Sequence, residues 1–260
     1  MKGKIIVITG ATRGIGLELK KILSADNTVV SFSRSEAENG VTSFRADVSD
    51  REEVKRVFDD IGRLYGKIDV LINNAGYGLS GATETLPENE IRRITDVNFL
   101  GPIWCVQCAL PYMKEGAKIA FVSSASGFTP MPYRTMYNCT KSALTMLSYS
   151  LKNELNKFNI DCTAFILGPV NTGFASNRVA IESTDAKYAS DVKKVDDFVK
   201  RQKPTSKMSV TRTAEYMIKK LNGRRLKYHY IVGLPFRLAY VAYKIAPFFT
   251  FRVTDKVMEK

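Results

Sequence analysis

The first twenty-three residues constrain this chain most. Lys4-Ile5-Ile6-Val7-Ile8 is a continuous apolar, β-branched run, the pattern of a parallel strand covered on both faces. Thr9-Gly10-Ala11-Thr12-Arg13-Gly14-Ile15-Gly16 follows and leads into the helical stretch Leu17 to Leu23. A strand feeding a glycine-rich turn feeding a helix suits a phosphate. Glycine lets backbone approach a pyrophosphate, and the helix N-terminus offers unpaired N–H groups and the positive end of its dipole. The spacing is G-x-x-x-G-x-G, unlike the commoner G-x-G-x-x-G, and it lacks the Lys-Ser/Thr of a P-loop. Taken alone, the motif is also compatible with a tight turn that binds nothing.

The next strand, Thr28 to Phe32, ends at Ser33-Arg34. In a dinucleotide-binding sheet the residue past the second strand faces the adenosine ribose, where a carboxylate accepts from the 2′-hydroxyl and a guanidinium pairs with a 2′-phosphate. No acid stands there. Arg34 does, and Arg13 lies in the glycine turn facing the same region, which favours NADP(H) over NAD(H).

Strands and helices then alternate at the pitch of βαβ units. Val41 to Phe44 and Ala46-Asp47-Val48 precede a helix from about Asp50 to Gly66, and the strand Ile68 to Ile72 runs into Asn73-Asn74-Ala75-Gly76. Glu88 to Met113 reads as one long helical region containing Asn98, with a bend expected at Pro102. Lys118 to Val122 leads to Ser123-Ser124, a helix starts near Tyr133, Ile160 to Leu167 is the sixth strand and Tyr228 to Val232 the seventh. The expected architecture is a single doubly wound, Rossmann-type α/β domain over residues 1–233, a seven-stranded parallel sheet flanked by helices, followed by an extension over 234–260.

Composition sharpens this picture through charge. The chain of 260 residues carries a formal +13, yet residues 200–260 alone hold 15 Lys and Arg against 3 Asp and Glu. The body is nearly neutral, so a nucleic-acid-coating surface is not expected. A lone histidine, His229, excludes multi-histidine metal sites and two-histidine relays, and its alternating strand context points to a packing role. Cys105 and Cys108 form a single C-x-x-C flanked by apolar residues, read as a core helix face; no metal site is expected. Few cysteines and an immediate N-terminal strand suggest a reducing, cytoplasmic setting.

Tyr137-Asn138-Cys139-Thr140-Lys141 places a phenol and an ammonium four residues apart, on one helix face. A cation beside a phenol stabilises phenolate and brings its pKa down toward neutrality, which makes it a useful proton donor and acceptor. Ser124, at the end of the preceding strand, can hydrogen-bond the same substrate oxygen.

With Thr9-Gly10-x-x-x-Gly14-x-Gly16, Asn73-Asn74-Ala75-Gly76, Asn98, Ser124, Tyr137 and Lys141 in order, the chain from Lys4 to about Val232 resembles the short-chain dehydrogenase/reductase family. The resemblance implies that Tyr137 is the general acid/base, that Ser124 polarises the carbonyl, that Lys141 binds the nicotinamide ribose and acidifies Tyr137, and that Asn98 holds a relay water. It also implies cofactor contacts from Gly10, Thr12, Arg13, Gly14, Ile15, Gly16 and Arg34, adenine contacts from Asp47 and Val48, a cofactor edge along Asn74, Ala75 and Gly76, and carboxamide contacts from Val170 and Thr172. Relatives usually read P-G-x-V-x-T where this chain has Leu167-Gly168-Pro169-Val170-Asn171-Thr172, so the first proline is lost. The implied activity is an NADP(H)-dependent oxidoreductase passing hydride between nicotinamide and a ketone, aldehyde or secondary alcohol, in a homodimer or homotetramer. The competing reading is a catalytically silent dinucleotide-binding regulatory or scaffold protein.

Residues 172–208 turn polar and charged, as a mobile substrate loop would, with Phe174, Val179, Ile181 and Tyr188 either lining a pocket or folding the loop onto the body. Over Leu234 to Phe251, Leu238, Val241, Ile245 and Phe248 make one helical stripe, with Arg237 and Lys244 a face away. Such a segment can rest peripherally on an anionic membrane surface, cover the mouth of an apolar pocket, or pack at an interface. The first two point to a lipophilic substrate, steroid-like or long-chain.

Overall fold

The computed structural model describes residues 1–35, 39–174, 178–201 and 209–258. Seven parallel strands form its centre, in the order β3 (Ser43–Arg45), β2 (Thr28–Ser33), β1 (Ile5–Thr9), β4 (Ile68–Asn73), β6 (Met113–Ser124), β7 (Asp161–Leu167) and β9 (His229–Val232). Strands β5 (Leu79–Ser80) and β8 (Val179–Ala180) pair separately as a small parallel ribbon that the sequence did not announce. Because β1 leads outward to β2 and the chain then returns to β4, the order reverses between β1 and β4, which opens a crevice at their C-terminal ends.

Helices cover both faces. Val54, Val57, Phe58 and Ile61 of α2 (Arg51–Tyr65) and Leu144 of a later helix, α5 (Thr135–Leu155), pack under one face. Leu19 and Leu23 of α1 (Gly14–Leu23) join Ala214, Met217 and Leu221 of α7 (Val210–Leu221) on the other. Asp50 starts α2 by accepting from the N–H groups of Glu52 and Glu53 at 2.9 and 3.0 Å. Cys105 is fully buried in the first core and Cys108 packs against it, both as free thiols. His229 accepts or donates through Nδ1 with the Tyr149 hydroxyl at 2.6 Å and meets the Tyr240 ring edge-on, a packing role.

Two expectations need correction. The stretch expected as one helix from Glu88 to Met113 divides into α3 (Glu88–Thr95), a π-helical turn (Asp96–Leu100) and α4 (Gly101–Ala109), ending in a 3₁₀ turn at Leu110–Tyr112. Pro102 sits in the first turn of α4, directly after the π-helical turn, so the irregularity in this run falls at Asp96–Leu100, just ahead of the proline. The described part of the polar 172–208 stretch also contains a helix, α6 (Ala186–Arg201). Val192, Val195 and Val199 supply its buried stripe, at a helical spacing that the surrounding charges obscured. The rest of that stretch, residues 175–177 and 202–208, lies outside the described residues.

The C-terminal extension forms α8 (Leu234–Ile245) and α9 (Pro247–Met258). Phe236, Ala239, Tyr240 and Tyr243 pack against Ala125, Phe128, Ile166 and Ile231 at the β9 edge of the sheet. The stripe read from the sequence faces outward: Leu238 is 63% exposed, Val241 54%, Ile245 79% and Phe248 79%. Among the described residues no helix is long and apolar enough to cross a membrane.

Gly101 shows how tightly the layers are set. A Cβ there would lie 2.7 Å from the Val48 carbonyl oxygen, which is backbone and has little freedom to retreat. In an unconstrained helix Gly→Ala gains about 1 kcal/mol. Gly101→Ala is expected instead to destabilise by about 1–3 kcal/mol through overpacking, checked as a lower urea midpoint at unchanged slope.

Candidate active site

A cavity of about 1130 Å³ opens at the C-terminal ends of the central strands. It is bounded on one side by the glycine turn. Gly10, with φ of 67°, approaches Ala75 so closely that a Cβ would meet its Cα at 3.0 Å. The Thr9 hydroxyl accepts from the N–H groups of Asn74 and Ala75 at 3.0 and 2.9 Å, and the Asn74 amide donates to the carbonyls of Thr9 and Gly10, both at 2.9 Å. These bonds join the ends of β1 and β4 across the crevice. Among the described residues no side chain caps the start of α1 at Arg13, which leaves its first-turn N–H groups to an anion.

All the cofactor-binding candidates open onto this cavity except Gly16. Gly16 lies behind it: a Cβ would stand 2.4 Å from the Gly10 oxygen and 2.5 Å from Asn74 Nδ2, so its glycine serves close packing of the turn. Arg34 Nε lies 3.7 Å from an Asp47 carboxylate oxygen, with the side chains 58% and 30% exposed. A pair so exposed contributes little and leaves Arg34 available to a stronger anion. The Asp47 carboxylate also accepts from the backbone N–H and hydroxyl of Ser49 at 3.0 and 2.7 Å. This donor set fits a dinucleotide: a glycine cradle and an uncapped helix start suit the pyrophosphate, and the exposed Arg13 and Arg34 guanidiniums line the same cavity.

Ser124, Tyr137 and Lys141 open onto the opposite wall. Ser124 ends β6; its Oγ accepts from the Ser126 N–H at 3.2 Å, and the hydroxyl hydrogen-bonds the Tyr137 phenol. Tyr137 is buried in the first turn of α5. Burial pushes its phenol up, while the Arg134 guanidinium and a hydrogen bond with Ser124 pull it back. Lys141 sits one turn further on, donating from Nζ to the Val122 carbonyl at 2.9 Å, and burial lowers its pKa to about 8. Its Nζ is 5.9 Å from the centre of the Tyr137 ring, whereas Arg134 Cζ is 4.5 Å away. Two cations therefore flank the phenol where the sequence suggested one.

Asn98 does not line the cavity. It is fully buried, with its amide donating to the Tyr77 carbonyl at 2.9 Å and accepting from the Tyr77 N–H at 3.0 Å. A Cβ at Gly76 would come within 3.0 Å of Asn98 Oδ1 and 3.5 Å of Lys141 Nζ, so Asn98 holds the 76–77 turn against the lysine. Of the loop candidates, Phe174 lines the cavity, whereas Val179 and Ile181 pack beside Tyr137 in a core cluster and Tyr188 stacks edge-on against Tyr133.

Sequence reasoning passed over Arg134 and Phe236. Arg134 is visible as a lone cation one turn before Tyr137, but nothing in its spacing says that it is buried. Phe236 reaches the cavity from α8 because Gly168 leaves room; a Cβ at Gly168 would lie 2.1 Å from the ring.

Residues 4–183 match the family model described as short chain dehydrogenase. The probable short-chain type dehydrogenase/reductase VdlC of Helicobacter pylori is 32% identical over 254 residues, covering 93% of this chain and 92% of that protein. The 3-ketodihydrosphingosine reductase of Bacteroides thetaiotaomicron is 35% identical over 189 residues, covering 71% of this chain and 70% of its own. A solved short-chain dehydrogenase from Streptomyces avermitilis superposes with a TM-score of 0.82 at 24% identity, over 98% of both chains, and shares the fold. The open dinucleotide crevice and the Ser124, Tyr137 and Lys141 wall thus stand in a chain that belongs to the short-chain dehydrogenase/reductase family of oxidoreductases.

Proposed function

We propose that this protein is an NADP(H)-dependent carbonyl reductase and alcohol dehydrogenase acting on a lipophilic ketone or aldehyde. One observation carries the reading: a buried phenol and the serine hydroxyl hydrogen-bonded to it face the same cavity into which the uncapped start of α1 opens. Hydride transfer at nicotinamide is the chemistry that the cofactor supplies when bound.

The residues of this chain do the rest. The first-turn N–H groups of α1 hold the pyrophosphate, Arg13 and Arg34 take the 2′-phosphate, Asp47 and Val48 flank the adenine, and Val170 and Thr172 meet the carboxamide. Ser124 donates its hydroxyl proton to the substrate oxygen and polarises the carbonyl. Tyr137 gives its phenolic proton to that oxygen in reduction and takes it back in oxidation. Lys141, whose charge burial already makes costly, is steadied by the ribose hydroxyls and by the phenolate that forms beside it. Asn98 acts as a positioning residue, keeping the 76–77 turn in place beside Lys141.

Phe174, Phe198, Val199 and Phe236 give the cavity an apolar wall, which supports a lipophilic substrate. The Bacteroides relative is named a 3-ketodihydrosphingosine reductase, in keeping with this. The outward ridge of α8 and α9 beside a strongly basic C-terminal quarter supports docking of this face on an anionic membrane surface. On this reading the inner face of α8 walls the pocket through Phe236 while its outer face meets lipid.

Tyr137→Phe is expected to lower kcat by about 10²–10⁴-fold while NADPH fluorescence still reports cofactor binding; undiminished turnover removes the mechanism. Arg34→Asp should move the NADPH/NADH preference toward NADH by about tenfold or more, the loss of a charge-assisted bond. An unchanged ratio in steady-state kinetics takes Arg34 out of the 2′-phosphate site. In sedimentation with phosphatidylserine vesicles, the doubly substituted Leu238→Glu, Ile245→Glu chain should remain in the supernatant while the unaltered chain pellets. Equal partition retires the membrane reading.

A further inference from the structure

The mechanism leaves one buried charge unexplained. Arg134 is only 7% exposed and lines the cavity, yet among the described residues no carboxylate lies within ion-pair distance of it. Its guanidinium faces the Met131 sulfur at 3.7 Å, a weak acceptor, and the face of the Tyr137 ring, and Nε finds no partner. The charged neighbour on the β8 side, Arg178, is another cation, paired with Asp196. A guanidinium cannot escape burial by losing its proton, as Lys141 can. A buried charge without a counter-ion is costly, so a protein that keeps one has a use for it.

Position narrows that use. Arg134 immediately precedes α5 and follows Tyr133, held at a φ of 55°, a left-handed conformation that bulky residues seldom adopt. A Cβ at Gly78 would meet Arg178 Cβ at 3.2 Å, the Phe174 ring at 3.4 Å and Arg134 Nη2 at 3.6 Å, so Arg134 and Phe174 come together over this glycine. This is the Tyr137 side of the cavity. The anions of the dinucleotide are accounted for elsewhere, at the start of α1 and at Arg13 and Arg34.

We infer that Arg134 is the receptor for an oxyanion carried by the substrate. Resting on the carbonyl-reductase reading, this narrows the substrate class to amphiphilic anions: an apolar body against Phe174, Phe198 and Phe236, a carbonyl at Tyr137 and Ser124, and a carboxylate or phosphate monoester close to that carbonyl. Planar, two-pronged donation by a guanidinium matches either group. Arg134 then contributes to specificity in the ground state and, by holding the anion, sets which carbonyl carbon faces the cofactor.

The test uses the full-length enzyme with NADPH and matched pairs of aryl ketones. Benzoylformate and 3-benzoylpropionate are each compared with their methyl esters, and a phenacyl phosphate with the parent alcohol. The unaltered enzyme should favour the anion in at least one pair by about 10- to 100-fold in kcat/KM, mainly through KM. The pair that shows it identifies carboxylate or phosphate. Arg134→Met should collapse that ratio toward one, with Arg134→Lys retaining part of it. Arg134→Met should also raise the thermal midpoint of the ligand-free protein, because an uncompensated charge is removed. Neutral preference in every pair, or a ratio that survives Arg134→Met, overturns the inference. So does a lowered midpoint in Arg134→Met, the mark of a structural arginine. If Arg134 served only to acidify Tyr137, both members of each pair would fall together and the pH profile of kcat would move. Should no carbonyl be reduced at all, the reading beneath fails, and calorimetric binding of 3-benzoylpropionate, lost in Arg134→Met, still decides the anion site.

Discussion

The joint between β1 and β4 is the constraint on which the rest of this site depends. Two neighbouring parallel strands lead to helices on opposite sides, and their ladder stops at the pair Ile8 and Ile72, so the turns beyond it need contacts of their own. Thr9 and Asn74 supply them, through four reciprocal hydrogen bonds between a hydroxyl, an amide and backbone. Each buried polar group satisfies another, which makes the joint stiff as well as close. Gly16 is glycine because this joint sits directly against it. The opening of α1, the glycine turn and the edge along Asn74 to Gly76 take their places from these contacts.

The opposite wall is governed by the cost of burying charge. Lys141, Arg134 and Tyr137 are all withdrawn from water, and each responds in the way its chemistry allows. The ammonium moves toward neutrality, with a pKa near 8, and leans on a backbone carbonyl. The phenol is pushed up and partly pulled back by the guanidinium over its ring. The guanidinium can only wait for an anion. A site whose charges compensate one another incompletely before ligand arrives gains most when it does, which is a physical basis for selectivity.

The C-terminal extension belongs to this site as well as to the surface. Gly168 lets the Phe236 ring pass under the loop after β7 and into the cavity, and Tyr240 and Tyr243 anchor the same helix on Phe128. Its outer face keeps Leu238, Val241 and Ile245 in water. One short helix thus has a face that helps enclose the pocket and another that stays exposed, within the quarter of the sequence that carries most of the charge excess.

Much of this was legible in residue order. Strand and helix periodicity gave every strand of the main sheet, because apolar β-branched runs covered on both faces leave a local signature. The glycine turn, the Asn-Asn-Ala-Gly turn and the Ser124, Tyr137 and Lys141 spacing were readable because each is bound to local geometry at a strand end or along one helix face. The helix α6 was hidden because charged residues dilute a three-valine stripe, and the bonding of Asn98 to the Tyr77 backbone because it joins distant segments. The sequence by itself determined the alternation of elements, the crevice at the strand ends and the placing of Tyr137 and Lys141 on one face of α5. Only the tertiary structure decided that Arg134 is buried with no carboxylate of the described residues beside it, that Phe236 enters the pocket, and that the apolar stripe of α8 faces outward. Burial and pairing depend on which distant segments meet, and no spacing within one segment records that.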